Sequence, residues 1–337
     1  MPMGRLPLAL LAAALLLAGC GGTDNSDKDP ASQVPATGGL REKVRAAQSV
    51  TAADFPAAGG RTLQEVANSA GSAGPELGMA TSVFTPGDNR VAFGMIDSKS
   101  GLVYGKTAVY VAPKPGAKAQ GPYPAPADVL MTEGRYRSKQ AATEADPFAA
   151  VYAARVPFKK PGKYSILAVT KDGAKTVAAP GQINVVTKAA DRIPEVGQRP
   201  PAHLVTDTKA SARGDIASID TRQPPDDMHE KSFADVVGKK PVALIIATPQ
   251  LCQSRVCGPV VDIGEQMKSR YGKQVEFIHQ EVYKNNDVKQ GLRRPLEQLN
   301  LATEPWLFVV GKDGRITARL EGSFGISAFE KALKTAL

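Results

Sequence analysis

Cysteine, histidine and tryptophan are all scarce in this chain: three, three and one among 337 residues. Neither cysteine nor histidine occurs between residues 78 and 187, so catalysis is not expected there. No dense basic cluster interleaved with aromatics is present, which removes nucleic acid as an expected partner despite a formal charge of +9. Attraction to an anionic membrane surface or general solubility accounts for that charge more simply. The apolar run Leu6–Ala18 is too short to span a bilayer. The balance of 42% hydrophobic and 22% charged residues belongs to a chain that folds.

What is present begins with that run. Arg5, the apolar stretch and Leu17-Ala18-Gly19-Cys20 have the three-part layout of a secretory signal, and the last four residues resemble the bacterial lipobox. The resemblance implies cleavage at Gly19, lipid on Cys20, and a body tied to the extracytoplasmic face of the cell membrane. Several acyl chains would hold firmly where one holds only marginally. Residues 1–19 are thus expected to be a signal peptide. If Cys20 carries lipid, Cys252 and Cys257 are the remaining thiols, and in an oxidising compartment a close pair tends toward a disulfide.

Residues 20–77 read as a tether and a partly ordered segment. Gly21 to Gly39 has almost nothing to bury, and Thr62 with Glu65 is placed to cap a short helix. Residues 78–187 carry six expected strands: Met79–Thr85, Val91–Asp97, Leu102–Ala112, Ala150–Phe158, Lys163–Thr170 and Gln182–Val186. Pro161-Gly162-Lys163-Tyr164 resembles the corner of an immunoglobulin-like sandwich, where a tyrosine ties down a late strand. The domain is expected to be an all-β sandwich serving as a spacer or protein-binding module. Residues 188–218 read as a connector and residues 219–337 as a small α/β domain. In that last domain Ser327 is expected to cap the final helix, with Glu330 completing the capping box.

The α/β domain is organised around Pro241–Val261. Val242 to Ala247 is apolar and β-branched throughout, as in a strand buried on both faces. Pro249 ends it, Cys252 and Cys257 follow, and a helical pattern begins after Gly258-Pro259. Later come Glu304-Pro305 at the start of another strand and the hairpin signal Gly311-Lys-Asp313-Gly314. These residues resemble the thioredoxin-like fold, particularly TlpA-type envelope thiol-disulfide oxidoreductases. The resemblance covers about the last third of the chain. It implies a cis bond before Pro305 and substrate pairing along Glu304 and Pro305, with Cys252 as nucleophile and Cys257 as resolving thiol. Protein thiols or disulfides would be the substrates and a further redox protein the partner. No cofactor and no resident metal are implied.

Two features depart from that family. Thioredoxins use C-x-x-C, whereas here the spacing is C-x4-C. On one helix, five residues turn about 500°, leaving the side chains roughly 140° apart. Cys252 is therefore expected in the loop, with Cys257 at a proline-tolerant helix start. The buried acid of thioredoxins is also missing from Val242–Ala247, which leaves Glu281, His279, Glu304 or water for proton transfer. Arg255 and a helix N-terminus are expected to favour the Cys252 thiolate. Three alternatives accompany this reading. The first is a non-catalytic lipoprotein that binds a partner. The second is a peroxidase resembling atypical two-cysteine peroxiredoxins, against which Pro249 stands where those enzymes place threonine. The third is a copper chaperone of the Sco type, against which His279 comes too early.

Overall fold

Eight strands fold first in chain order because their apolar residues can be shared between two facing sheets. The structure, a computed structural model, describes Met1 and residues 29–70, 74–142 and 148–337. The signal-like run and Cys20 lie outside the described residues. The strands are β1 (Glu76–Met79), β2 (Gly87–Ile96), β3 (Lys106–Ala112), β4 (Gln120–Pro124), β5 (Ala127–Val129), β6 (Ala150–Phe158), β7 (Gly162–Asp172) and β8 (Lys175–Val185). They form two four-stranded sheets, β1-β2-β6-β5 and β4-β3-β7-β8, and every pairing is antiparallel. In β6, Ala154, Val156 and Phe158 point inward while Arg155 and Pro157 are exposed, the period-two pattern of a half-buried strand. They meet Val109, Val111 and Ile166 from the other sheet in one core. Tyr164 donates its hydroxyl to the Lys160 carbonyl at 3.0 Å, tying the start of β7 to the preceding turn.

The tether is shorter than expected, because residues 29–39 already pack. Ala31 and Val34 are fully buried, and helix α1 (Leu40–Gln48) adds Val44 and Ala47 to the sandwich core. Helix α2 (Leu63–Ala70) has the expected cap: Thr62 N–H donates to Glu65 at 2.7 Å, and Glu65 N–H donates to Thr62 Oγ1 at 3.3 Å.

The C-terminal sheet contains β9 (Val242–Ile246), β10 (Glu276–Gln280), β11 (Trp306–Val310) and β12 (Ile316–Glu321) in the order β10-β9-β11-β12. β9 and β10 are parallel, and the other pairs are antiparallel. All five residues of β9 are buried, because helices cover both faces. Ala243 and Ile245 pack against α4 (Cys257–Tyr271) and α6 (Ile326–Leu333). Leu244 and Ile246 pack toward α3 (Phe233–Val236) and α5 (Arg294–Leu299). This is the thioredoxin-like arrangement, and the Glu304–Pro305 bond is cis. The expected connector is not a free linker. Ile193 and Leu204 are buried in the second of these cores, and at the β12 edge Gly197 N–H donates to the Ile316 carbonyl while Ile316 N–H donates to the Gln198 carbonyl.

Sandwich and α/β domain are joined by buried polar contacts. Asp128 in β5 accepts from the N–H groups of Gly325, Ser327 and Ala328 at 2.7, 3.0 and 3.3 Å. The N-cap of α6 is thus Gly325, with Ser327 inside the helix. The expected Ser327–Glu330 box is displaced because a carboxylate from the other domain already satisfies those donors. Glu321 accepts from the N–H groups of Ser82 and Val83 at 3.0 and 2.9 Å. At Gly258 a Cβ would lie 2.5 Å from the Gln140 carbonyl oxygen, so only glycine lets the sandwich loop rest on the first turn of α4. The sandwich is therefore more than a spacer; it is seated against the helix that carries Cys257.

Candidate active site

Pro249 and the left-handed conformation of Arg255 (φ +60°) shape the loop between β9 and α4. Cys252 N–H donates to Thr248 O at 3.1 Å, and Arg255 N–H donates to Cys252 O at 3.2 Å, which closes the loop into successive turns. Cys257 is the first residue of α4, and Pro259 falls within the first turn, where a missing N–H costs nothing. The C-x4-C pair therefore straddles the loop and the helix start, as the rotation argument requires.

Both cysteines are free thiols and both are buried, Cys252 with 8% exposure and Cys257 with none. Their electrostatics are opposite. The hydrogen bond from Cys257 is the largest influence on Cys252; together with Ser254, it outweighs burial and holds the Cys252 thiol down to about 6. Ser254 Oγ lies 3.2 Å from Cys252 Sγ. Burial pushes Cys257 well above the ordinary thiol value, and the neighbouring sulfur adds to the shift. One sulfur is a thiolate near neutral pH and the other keeps its proton. The leading support comes from Cys257 and Ser254, and Arg255 is exposed on the loop surface.

Across the mouth stands Glu304, on the cis bond to Pro305. Burial first, and then the charge of Cys252, raises its carboxyl to about 6. Its charge also acts on Cys257, which makes it the member of the expected acid set that interacts with both sulfurs. Tyr283 belongs to the same surroundings: burial first, then Glu304 and the two sulfurs, raise its hydroxyl above the ordinary value. The sequence reading missed Tyr283 and Ser254, since neither belongs to a motif.

The other two expected acid–base residues are engaged elsewhere. Glu281 is fully buried and accepts from Thr221 N–H and Oγ1–H at 2.8 and 2.6 Å. Thr221 Oγ1 in turn accepts from Gln250 N–H at 3.1 Å, so Glu281 braces the cysteine loop. His279 is fully buried in β10, with Nδ1 2.6 Å from Asp226 Oδ2 and Nε2 3.1 Å from Ala247 O. Burial opposes its charged form, but the carboxylate of Asp226 outweighs this and raises it to about 10. Neither ring nitrogen is directed at a thiol, so His279 does not join the two cysteines as a Sco-type copper site would require.

The residues flanking the thiol pair, Ser254 and Val256, face the sandwich. A cavity of about 430 Å³ is lined by Met79, Ile96, Leu102 and Phe148 on one side and by Ser254 and Glu304 on the other. A neighbouring cavity of about 540 Å³ shares Ile96, Leu102, Phe148 and Ser254 and continues to Arg255 and Pro259. No family model matches the chain, and no curated protein matches it. Among the solved structures that resemble it are two thiol:disulfide interchange proteins. One, from Chlorobium tepidum, is assigned as a thiol:disulfide interchange protein DsbE; it is 14% identical, covers 42% of this chain and 98% of its own, and has a TM-score of 0.31. The other is a thiol:disulfide interchange protein of the thioredoxin family from Chlorobium tepidum TLS, 16% identical over 32% of this chain and 85% of its own, with a TM-score of 0.26. Independently of both, the sheet order, the cysteine position and the cis bond before Pro305 define the fold of the C-terminal domain.

Proposed function

We propose that this chain is a thiol-disulfide oxidoreductase of the cell envelope, acting on protein thiols or disulfides and held to the membrane by lipid on Cys20. The observation that carries the reading is the opposite protonation of two adjacent sulfurs facing a cis-proline strand. In the reducing direction the Cys252 thiolate attacks a substrate disulfide. The substrate S–S bond breaks, a mixed disulfide forms at Cys252, and the released substrate thiolate takes a proton. Cys257 then loses its proton and attacks Cys252, forming the Cys252–Cys257 disulfide and releasing the second substrate thiol. Two electrons pass from the pair to the substrate. Glu304, raised to about 6, is the carboxylate placed to accept the Cys257 proton. Oxidation of a substrate runs through the same steps in reverse.

Immunoglobulin-like character for the sandwich is supported by its strand order and by the Tyr164 corner. Its residues Ile96, Leu102 and Phe148 form the apolar wall against which a substrate segment would lie. Membrane attachment rests on the lipobox-like residues before Cys20. Among the described residues no helix is long and apolar enough to cross a membrane. Insulin reduction by the soluble chain separates the readings: turnover that disappears in Cys252→Ser supports the enzyme, whereas absence of turnover in both proteins favours a partner-binding lipoprotein. Peroxide consumption in the same preparations tests the peroxidase alternative.

A further inference from the structure

A second cluster of ionisable side chains, separate from the thiol pair, is assembled from the segment preceding α3 and from β10. Asp220, Asp226, His229 and His279 are buried, and one donor atom from each lies within 4.8 Å of the others. His229 Nε2 is 3.4 Å from Asp226 Oδ1 and 3.7 Å from Asp220 Oδ2. Although its side chain is 0% exposed, neither ring nitrogen has a hydrogen-bond partner of normal geometry. The backbone of Asp207 also reaches the ring, at a geometry short of a normal hydrogen bond. An imidazole buried with only such long contacts recovers little of the hydration it has lost.

Charge gives the same indication. Two carboxylates, Asp220 and Asp226, are buried together with no solvent to screen them, an arrangement that a cation would compensate. The scaffold is fixed from outside the cluster. Asp220 accepts from Arg222 and Asp226 N–H at 2.8 and 2.7 Å, and Asp226 accepts from Met228 N–H at 2.8 Å. His279 N–H donates to the Met228 carbonyl at 3.1 Å, which holds this segment along the β10 edge. His279 Nε2 is engaged with the Ala247 carbonyl, while Nδ1 lies inside the cluster, 2.6 Å from Asp226 Oδ2, a contact that a shared cation would replace. Histidines that bind metals characteristically place their second nitrogen on such an outer acceptor.

We propose that Asp220, Asp226, His229 and His279 form a structural binding site for a divalent transition-metal ion of the zinc class. Four protein donors without solvent exposure match a closed tetrahedral site. Two imidazoles disfavour calcium and magnesium, which take oxygen ligands, and the absence of sulfur disfavours Cu(I). With both imidazoles neutral, two carboxylates and a dication balance. Tetrahedral bonds of about 2.0–2.1 Å put ligand atoms roughly 3.3 Å apart, so the widest separations contract modestly on binding. The metal would stiffen the base of the cysteine loop, because Asp220 adjoins Thr221, which holds Gln250, and His279 holds Ala247 at the end of β9.

The test is a Co²⁺ titration of the full chain as Cys252→Ser/Cys257→Ser, which removes the thiols as competing ligands. One Co²⁺ per chain is expected, with tetrahedral d–d absorption, no thiolate-to-cobalt charge transfer, and displacement by Zn²⁺. In His229→Gln the affinity should fall at least about 100-fold, more than the loss of an outer-shell partner causes, while the far-ultraviolet circular dichroism stays unchanged. Should the double variant fail to fold, the wild-type chain with its pair oxidised provides the same sulfur-free test. Absence of stoichiometric binding by the folded chain, or binding unaffected by His229→Gln, overturns the assignment.

Discussion

Replacing Cys257 by alanine removes the contact that does most to hold Cys252 as a thiolate. The reduction of the Cys252 pKa from 9.0 to about 6 spans three units, or about 4 kcal/mol in favour of the charged form. At pH 7 this raises the thiolate fraction from about 1% to about 90%. Intrinsic nucleophilicity falls with basicity, and a Brønsted slope of about 0.4–0.5 takes back roughly 16- to 30-fold of that gain. The net advantage at pH 7 is therefore about three- to six-fold. Iodoacetamide labelling of the reduced protein, followed by mass spectrometry of the Cys252 peptide, measures it directly. The wild-type rate should rise through a midpoint near 6 and then level. Cys257→Ala should move the midpoint up toward the ordinary thiol range, slowing labelling at pH 7 but overtaking the wild type in strong alkali. Ser254→Ala should shift it in the same direction by less. The stability consequence has the matching sign: a folded pKa below the unfolded one adds stability above the unfolded value, and this is lost as pH falls through about 6. A wild-type midpoint near 9, or one unmoved in Cys257→Ala, refutes the reasoning.

Glu304→Gln removes a negative charge that opposes the Cys252 thiolate, so the labelling midpoint should fall, by under about one unit, since desolvation rather than this coupling dominates the Glu304 shift. In a glutathione titration the reduction potential should change by about 60 mV per pH unit below the Cys252 midpoint, and by about 30 mV above it, where the reduced pair binds one proton fewer; a single slope from pH 5 to 8 contradicts the assignment. Asp128→Ala should lower thermal stability by about 2 kcal/mol, because it uncaps α6 and removes one of the two carboxylates, the other being Glu321, that act on the half-buried Arg90; a melting curve superimposable on the wild type would show that the domain contact contributes nothing.

Local signals were readable from sequence, and contacts across the chain were not. The apolar run of β9, the Thr62–Glu65 box and the Gly311–Gly314 hairpin each depend on neighbours within a few residues, and all are present. β4 and β5 were missed because proline occupies the first and the second has only three residues. The cap of α6 was misplaced because its acceptor, Asp128, lies about two hundred residues upstream. The cysteine loop was identified, but its support was assigned to Arg255, the nearest cation. The folded loop also sets the Ser254 hydroxyl beside the sulfur, a matter of backbone path that composition does not reveal. His279 was expected among the groups available for proton transfer. Its role depends on Asp226 and Ala247, which only the packing of the preceding segment against β10 brings into range.

Trapping of a substrate on one sulfur tests the central claim most directly. Cys257→Ala incubated with a disulfide-bonded protein should accumulate a mixed disulfide that mass spectrometry maps to Cys252 and that added dithiothreitol releases, while Cys252→Ala traps nothing. Equal trapping at either cysteine, or none at Cys252, would contradict the division of labour between the two sulfurs.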